Sequence, residues 1–224
     1  MAFRFEQPKS PFLRALPILL CGAWACALWL SRPPKARTLL AGGVDSETAS
    51  CLSNLDQISR AYALYAQDFD GKIPPGADPE DKFHPEIWKD RGGGNYNGAL
   101  FDKAKNSPFQ HVILRPYVSS PKVFHCPADN GWTQSRLSTL SQSLLRDVHP
   151  SSYAKYGTSY YVFTLSGLAE NSANDLDDPG QKLLMFDGDL WHVNHNQELL
   201  NGLFADGHAQ NLTARQFDFY SRNG

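Results

Sequence analysis

The sequence predicts an α+β domain, and three observations carry that prediction: a long amphipathic helix early in the chain, a change to strand-like periodicity after Thr158, and an Asp-Gly dipeptide between two short extended pieces near the end. The helix comes first and organises the rest. Apolar residues recur at Ala49, Leu52, Leu55, Ile58, Tyr62 and Tyr65, with Ala61 and Leu64 widening the stripe, while Asp56, Gln57, Arg60 and Gln67 face away. Asp45 or Ser46 is placed to cap its start, and Glu47 sets a negative charge against the positive end of the helix dipole. Asp68, Asp70-Gly71 and Pro74-Pro75-Gly76 stop it. Over residues 45–68, at about 1.5 Å per residue, the rod is about 36 Å long. A single apolar stripe of that length requires a sheet or another helix to lie on.

The chain of 224 residues is 42% hydrophobic and 20% charged with net charge -2, which suits one main domain with a sizeable core. Basic residues number 21 against 23 acidic ones and form no block, which argues against nucleic acid as a partner. Of the four cysteines, Cys21 and Cys26 lie in an apolar segment and Cys51 and Cys126 in the globular part. The latter pair lacks C-x-x-C spacing, so no zinc ribbon is indicated; a bridge and two buried free thiols both fit.

Arg4, Lys9 and Arg14 precede an uncharged apolar run over 16–30 that contains Trp24 and Trp29. Residues 1–30 therefore read as a signal or membrane-spanning anchor segment, and Pro33-Pro34 and Gly42-Gly43 mark 31–44 as a linker. The expectation is a single-pass protein of the cell membrane whose 45–224 domain lies outside the cytoplasm, in the periplasm or at the cell surface.

Residues 77–106 are polar and glycine-rich, a long surface excursion whose Gly92-Gly93-Gly94 lacks the context of a phosphate cradle. Ser107-Pro108 offers a cap and first residue for a helix reaching Val118. Residues 123–127 read as short and extended, and Leu137, Leu140, Leu144 and Leu145 predict a helix over 135–148. Residues 159–165 and 182–186 read as buried strands, with an acidic, solvated loop at 169–180 between them. Asp206-Gly207 suits a type I′ hairpin, and Thr213 with Gln216 forms a capping box for a last helix.

Four separated segments, CLSNLDQISRAYALYAQDFDGKIPPG, ILRPYVSSPKVFHCPAD, YGTSYYVF and NGLFADGHAQNL, together resemble the soluble part of prepilin-type proteins with a C-terminal H-X9-DG motif, relatives of type II secretion pseudopilins. The resemblance implies a pilin-like fold, with the long helix packed lengthwise on an antiparallel sheet. It implies a structural or assembly role without catalysis, in partnership with other pilin-like subunits or secretion-system proteins. Cys51 and Cys126 fall at the family's two cysteine positions, which favours a disulfide. His195, Asp206 and Gly207 fall on the terminal motif, although ten residues separate His195 from Asp206 where the family has nine, and the family's Phe-Thr-Leu-Ile-Glu-like start is missing. The assembly reading assigns the contact face to Leu52, Leu55, Ile58, Tyr62 and Tyr65.

Other chemistry competes. Asp187-Gly188-Asp189, His192, His195, Asp206 and His208 crowd the last quarter, and His192 and His195, three apart, would share a helix face and bind zinc with Asp187 or Asp206. That reading gives a metal-dependent hydrolase. Asp68, Asp70 or the Asp187 and Asp189 loop offers hard oxygen ligands suited to calcium. A secreted ligand-binding module would use Trp88, Tyr96, Trp132 and Trp191 as stacking surfaces. No Gly-x-Ser-x-Gly elbow, P-loop or dinucleotide fingerprint supports another enzyme class.

Overall fold

The computed structural model describes residues 45–90, 99–137, 144–168 and 176–223. The signal or anchor segment 1–30, the linker 31–44, Gly92-Gly93-Gly94 and Tyr96 lie outside them. Among the described residues no helix is long and apolar enough to cross a membrane.

The first element, α1 (Ser46–Asp68), starts where the sequence placed it, with the Asp45 side chain accepting a hydrogen bond from the Thr48 N–H at 2.7 Å. It buries Thr48, Cys51, Leu55, Ile58, Ala61, Tyr62 and Tyr65 along one side. Asp70 and Gly71, at φ 52° and 79°, turn the chain away in the left-handed region. Short helices follow: α2 (Pro79–Phe83), α3 (Ile87–Asp90), α4 (Ala99–Asn106) and α5 (Gln110–Leu114), then 3₁₀ turns at Arg115–Tyr117 and Pro121–Phe124. The helix expected at Ser107-Pro108 begins two residues later, because the Pro108 carbonyl is taken by the Ala77 N–H. Of the piece expected to be extended over 123–127, Val123 and Phe124 close the second 3₁₀ turn, capped by Ser120, and the chain is extended at His125.

The helix expected over 135–148 is not formed at its described C-terminal end. There β2 (Arg146–Val148) pairs antiparallel with β1 (Trp132–Gln134), and Val148 is buried while Leu144 is exposed. Pairing with Trp132 outweighs the leucine spacing, a tertiary override of local pattern. After α6 (Ser152–Tyr156), the main sheet begins with β3 (Tyr160–Val162), shorter than expected because α7 (Thr164–Leu168) takes over.

The sheet is antiparallel throughout. β6 (Gln197–Phe204) is its centre: β7 (Ala209–Thr213) occupies one edge, while β4 (Leu183–Asp187) and β5 (His192–Asn194) share the other, and β3 pairs with β4. The fold is thus α+β with an antiparallel sheet. α1 lies against β6, β7 and both 3₁₀ turns. Strand alternation sends Asp187 toward α1 and its neighbour Phe186 to the opposite face, where Phe217 of α8 (Ala214–Asn223) meets it with ring centroids 4.8 Å apart. The predicted capping box opens α8: Thr213 N–H reaches Gln216 Oε1 at 2.9 Å, and Gln216 N–H reaches Thr213 Oγ1 at 3.2 Å.

The type I′ turn expected at Asp206-Gly207 falls instead in the preceding hairpin. His195 and Asn196, at φ 49° and 64°, form the two-residue loop between β5 and β6, with Asn194 paired to Gln197. Two successive left-handed residues are the type I′ signature, placed here at His-Asn. At Asp206-Gly207 only Gly207 is left-handed (φ 90°); its N–H donates to the Phe204 carbonyl, and Leu203 pairs with Ala209 across a longer loop.

Candidate functional site

Five elements bring polar side chains together in the middle of the domain. On α1, Thr48 and Cys51 are one turn apart on the buried side, above Leu55. The turn Pro121–Phe124 delivers Cys126, whose sulfur lies 2.13 Å from that of Cys51, a disulfide pair joining residues 75 apart in sequence. β4 ends at Asp187, β5 begins at His192, and Asn201 lies in mid-β6. Cys51, Cys126, Asp187 and Asn201 are fully buried, and His192 is 2% exposed.

The imidazole is the hub. Its Nδ1 lies 2.9 Å from Thr48 Oγ1; its Nε2 lies 2.8 Å from Asn201 Nδ2, 3.1 Å from Asp187 Oδ2 and 3.4 Å from Cys126 Sγ. Asn201 Oδ1 accepts from Asn211 Nδ2 at 2.6 Å, so the Asn201 NH₂ faces the ring. Nε2 without a proton accepts from Asn201, whereas Nε2 with a proton donates to Asp187. Each tautomer satisfies one neighbour and leaves the other wanting.

Asp187 is similarly divided. Oδ2 accepts the Asn201 backbone N–H at 2.6 Å, but Oδ1 is buried with no hydrogen-bond partner. Burial pushes its carboxyl above the ordinary carboxylate range, against the lowering by the His192 hydrogen bond and charge. A supporting shell holds the cysteines. Asn54 Nδ2 donates to the His125 carbonyl at 2.8 Å, and Cys126 N–H donates to Ser159 Oγ at 3.0 Å. That Ser159 hydroxyl donates in turn to Asp129 at 2.7 Å, and Asp129 also collects the backbone N–H groups of Gly131, Ser152 and Tyr153. Chemically the centre is a closed, hydrogen-bonded imidazole and carboxyl beside two sulfurs, able to fix α1 against the sheet and offering no open cleft to a substrate.

No protein-family model, curated protein or solved structure matches this chain.

The predicted site residues are only partly gathered here. His192 and Asp187 meet, yet on strands instead of the expected helix face, since β5 pairing holds 192–194 extended. His195 stands exposed in the β5–β6 turn, and Asp206 beyond the far end of β6 hydrogen-bonds His208. β6 is eight residues long, so His195 and Asp206 are held about 26 Å apart and cannot share an ion. The expected zinc set of His192 and His195 with Asp187 or Asp206 is therefore not assembled.

Among the described residues, the carboxylates offered for calcium belong to no group of three or more close ligands. Asp68 and Asp70 lie at the end of α1, where Tyr117 hydroxyl donates to Asp68 Oδ2 at 2.8 Å. Asp189 is held by Arg136, with Nε 3.0 Å from Oδ2, and Asp187 serves His192. Of the proposed stacking aromatics, Trp88, Trp132 and Trp191 are at most 9% exposed and pack within the interior, so they present no surface to a ligand.

The helix face assigned to assembly is also turned inward. Leu55 and Ile58 are fully buried, Tyr62 and Tyr65 nearly so, and Leu52 is half-buried. The domain's own sheet takes the contact that a partner would have used.

Thr48, Asn201, Asn211, Ser159 and Asp129 are absent from the sequence-based site. A polar residue inside an otherwise apolar run is the available signal: Thr48 falls on the buried side of α1, and Asn201 interrupts Leu199, Leu200 and Leu203 on β6.

Proposed function

We propose that this chain is a non-catalytic structural or assembly component, resembling pseudopilins of type II secretion or type IV pilus-like systems. In this reading residues 1–30 attach it to a membrane, the domain from residue 45 onward stands on the extracytoplasmic side, and its partners are other pilin-like subunits or secretion-system proteins. The observation that carries the proposal is the sealing of the His192–Asp187 centre. Hydrolysis needs its imidazole and carboxylate within hydrogen-bond reach of substrate, and here α1 covers both. A centre built this way serves to hold a rod on a sheet. The Cys51–Cys126 pair supports the compartment, because disulfides persist where thiols are not kept reduced.

With the inner face of α1 occupied, its outer face is left for partners. Gln57, Arg60, Leu64 and Gln67 are exposed there, Leu64 at 44%. The test is photo-crosslinking of the full-length chain in membranes from a probe at Gln57 or Gln67. Multiples of the chain, or adducts with a secretion-system protein, are expected, and Leu64→Glu should weaken them while leaving thermal stability within about 0.5 kcal/mol, as for other surface changes. A chain that yields no adducts, together with a metal-dependent hydrolytic activity lost on Asp187→Asn, would refute the proposal in favour of the hydrolase.

A further inference from the structure

We propose that the buried centre is a reduction-dependent zinc site: once the Cys51–Cys126 bond is opened, the two thiolates, His192 Nε2 and the Asp187 carboxylate take up one zinc ion. This inference stands apart from the assembly reading, since a zinc-held domain serves a subunit or an enzyme equally.

Three of the four donors are already gathered, and the fourth, Asp187, stands outside that close group beside His192 and must swing toward the sulfurs. Among the described residues, Cys51, Cys126 and His192 present ligand atoms within 4.8 Å of one another. A tetrahedral zinc with Zn–S about 2.3 Å and Zn–N and Zn–O about 2.0 Å has S···N edges of about 3.5 Å and N···O edges of about 3.3 Å. The centre shows 3.4 Å from Cys126 Sγ to His192 Nε2 and 3.1 Å from Nε2 to Asp187 Oδ2. Opening the sulfur–sulfur bond lets the sulfurs part to about 3.8 Å, the S···S edge of the same tetrahedron.

A second observation points to a cation. Asp187 Oδ1, the carboxylate oxygen not engaged by His192 or the Asn201 N–H, is buried without any hydrogen-bond partner, a position costly to leave unfilled. The outer shell is present as well. Thr48 Oγ1 at 2.9 Å holds the far nitrogen of the ring, and the Asn201 N–H at 2.6 Å holds the carboxylate. The Asn201 side-chain amide, 2.8 Å from Nε2, must turn away to admit the ion. With four protein donors and no exposed side, the site is of the closed, structural kind.

The chemistry balances. One thiolate of a dithiol reductant attacks a protein sulfur, and its second thiolate then displaces the mixed disulfide, so the reductant leaves as a cyclic disulfide and the protein keeps two thiols. Zinc binding releases the two thiol protons. Oxidised, the domain is held by a covalent bond between α1 and the Cys126 segment; reduced, it is held by metal at the same point.

The test uses the full-length chain in detergent micelles, oxidised or reduced anaerobically with a phosphine that is then removed, and Zn²⁺ or Co²⁺ as the probe. The reduced chain is expected to bind one more ion than the oxidised chain. Its cobalt form should show a thiolate charge-transfer band and intense four-coordinate visible bands. Zn²⁺ should raise the Tm of the reduced chain and leave that of the oxidised chain unchanged. His192→Ala and Asp187→Asn should each weaken binding about tenfold or more. Circular dichroism of the oxidised variants checks that they fold, and the Cys51→Ser, Cys126→Ser double variant supplies a second loss of donors. The proposal is overturned by a reduced chain without the thiolate–cobalt band. A band that survives the double serine variant, which would place the metal on Cys21 and Cys26, overturns it too. So does an affinity indifferent to both His192 and Asp187.

Discussion

Asp45 shows how much one side chain can decide. Its carboxylate satisfies a helix N–H that would otherwise have no partner, and that backbone hydrogen bond, opposed by slight burial, holds its carboxyl below the ordinary value of 3.8. Asp45→Ala is expected to cost about 1 kcal/mol in urea unfolding at pH 7. The sign follows from the lowered pKa: the contribution is complete above 3.8 and fades as pH falls through the folded-state value. His111 works in the opposite chemical sense. Burial pushes its imidazole down to about 4 from 6.5, and Nδ1 has no hydrogen-bond partner where it packs between Phe109 and Phe124. Between those values the unfolded chain binds a proton that the folded chain refuses, so stability is complete above 6.5 and is lost as pH falls toward 4. His111→Phe should flatten that decline, read as a smaller difference in Tm between pH 7 and pH 4.5; parallel profiles for the two proteins would show that other groups carry the acid sensitivity.

At the scale of elements, α1 and the two C-terminal hairpins show what local pattern reveals and what pairing decides. The α1 stripe and cap were legible because they depend on residues within a turn of each other, as was the capping box of α8. Turn type was less so. Asp206-Gly207 has the residues of a type I′ turn, yet pairing of Leu203 with Ala209 leaves too many residues between the strands for a two-residue loop. The left-handed pair falls instead at His195-Asn196, a dipeptide with weaker preference but the right loop length. Gly207 is still required. Its φ is 90°, and a Cβ there would lie 2.9 Å from Ser59 Oγ on α1. Gly207→Ala is therefore expected to cost about 1 to 3 kcal/mol from backbone strain. Repeating it in a Ser59→Ala background separates the two causes by a double-mutant cycle: a cost that survives belongs to the backbone, and a cost that vanishes belongs to the contact with α1.

In the whole molecule the α+β class was legible, because helical spacing precedes strand spacing along the chain. The buried centre was not, because its members come from residues 48 to 201 and lie side by side only after α1, the Pro121–Phe124 turn and three strands have met. Sequence proximity suggested pairing His192 with His195; alternation along β5 and the turn beyond it separate them. The disulfide pairing itself needed the family resemblance, since spacing alone left free thiols equally open. Its consequence for the whole fold is measurable. Closing a loop of 75 residues lowers the entropy of the unfolded chain by an amount worth about 4 kcal/mol in the chain-entropy view. A domain of this size is stable by only about 5 to 15 kcal/mol in total, so the bond supplies a large share. The Cys51→Ser, Cys126→Ser double variant, unfolded in urea with a chelator present, should lie about 2 to 5 kcal/mol below the oxidised protein. That loss should appear as a lower midpoint, accompanied by a steeper slope if the freed loop also makes the unfolded chain less compact. A variant as stable as the oxidised protein would mean that the contacts of His192 with Thr48, Asp187 and Asn201 are enough to hold α1 on its sheet without the covalent link.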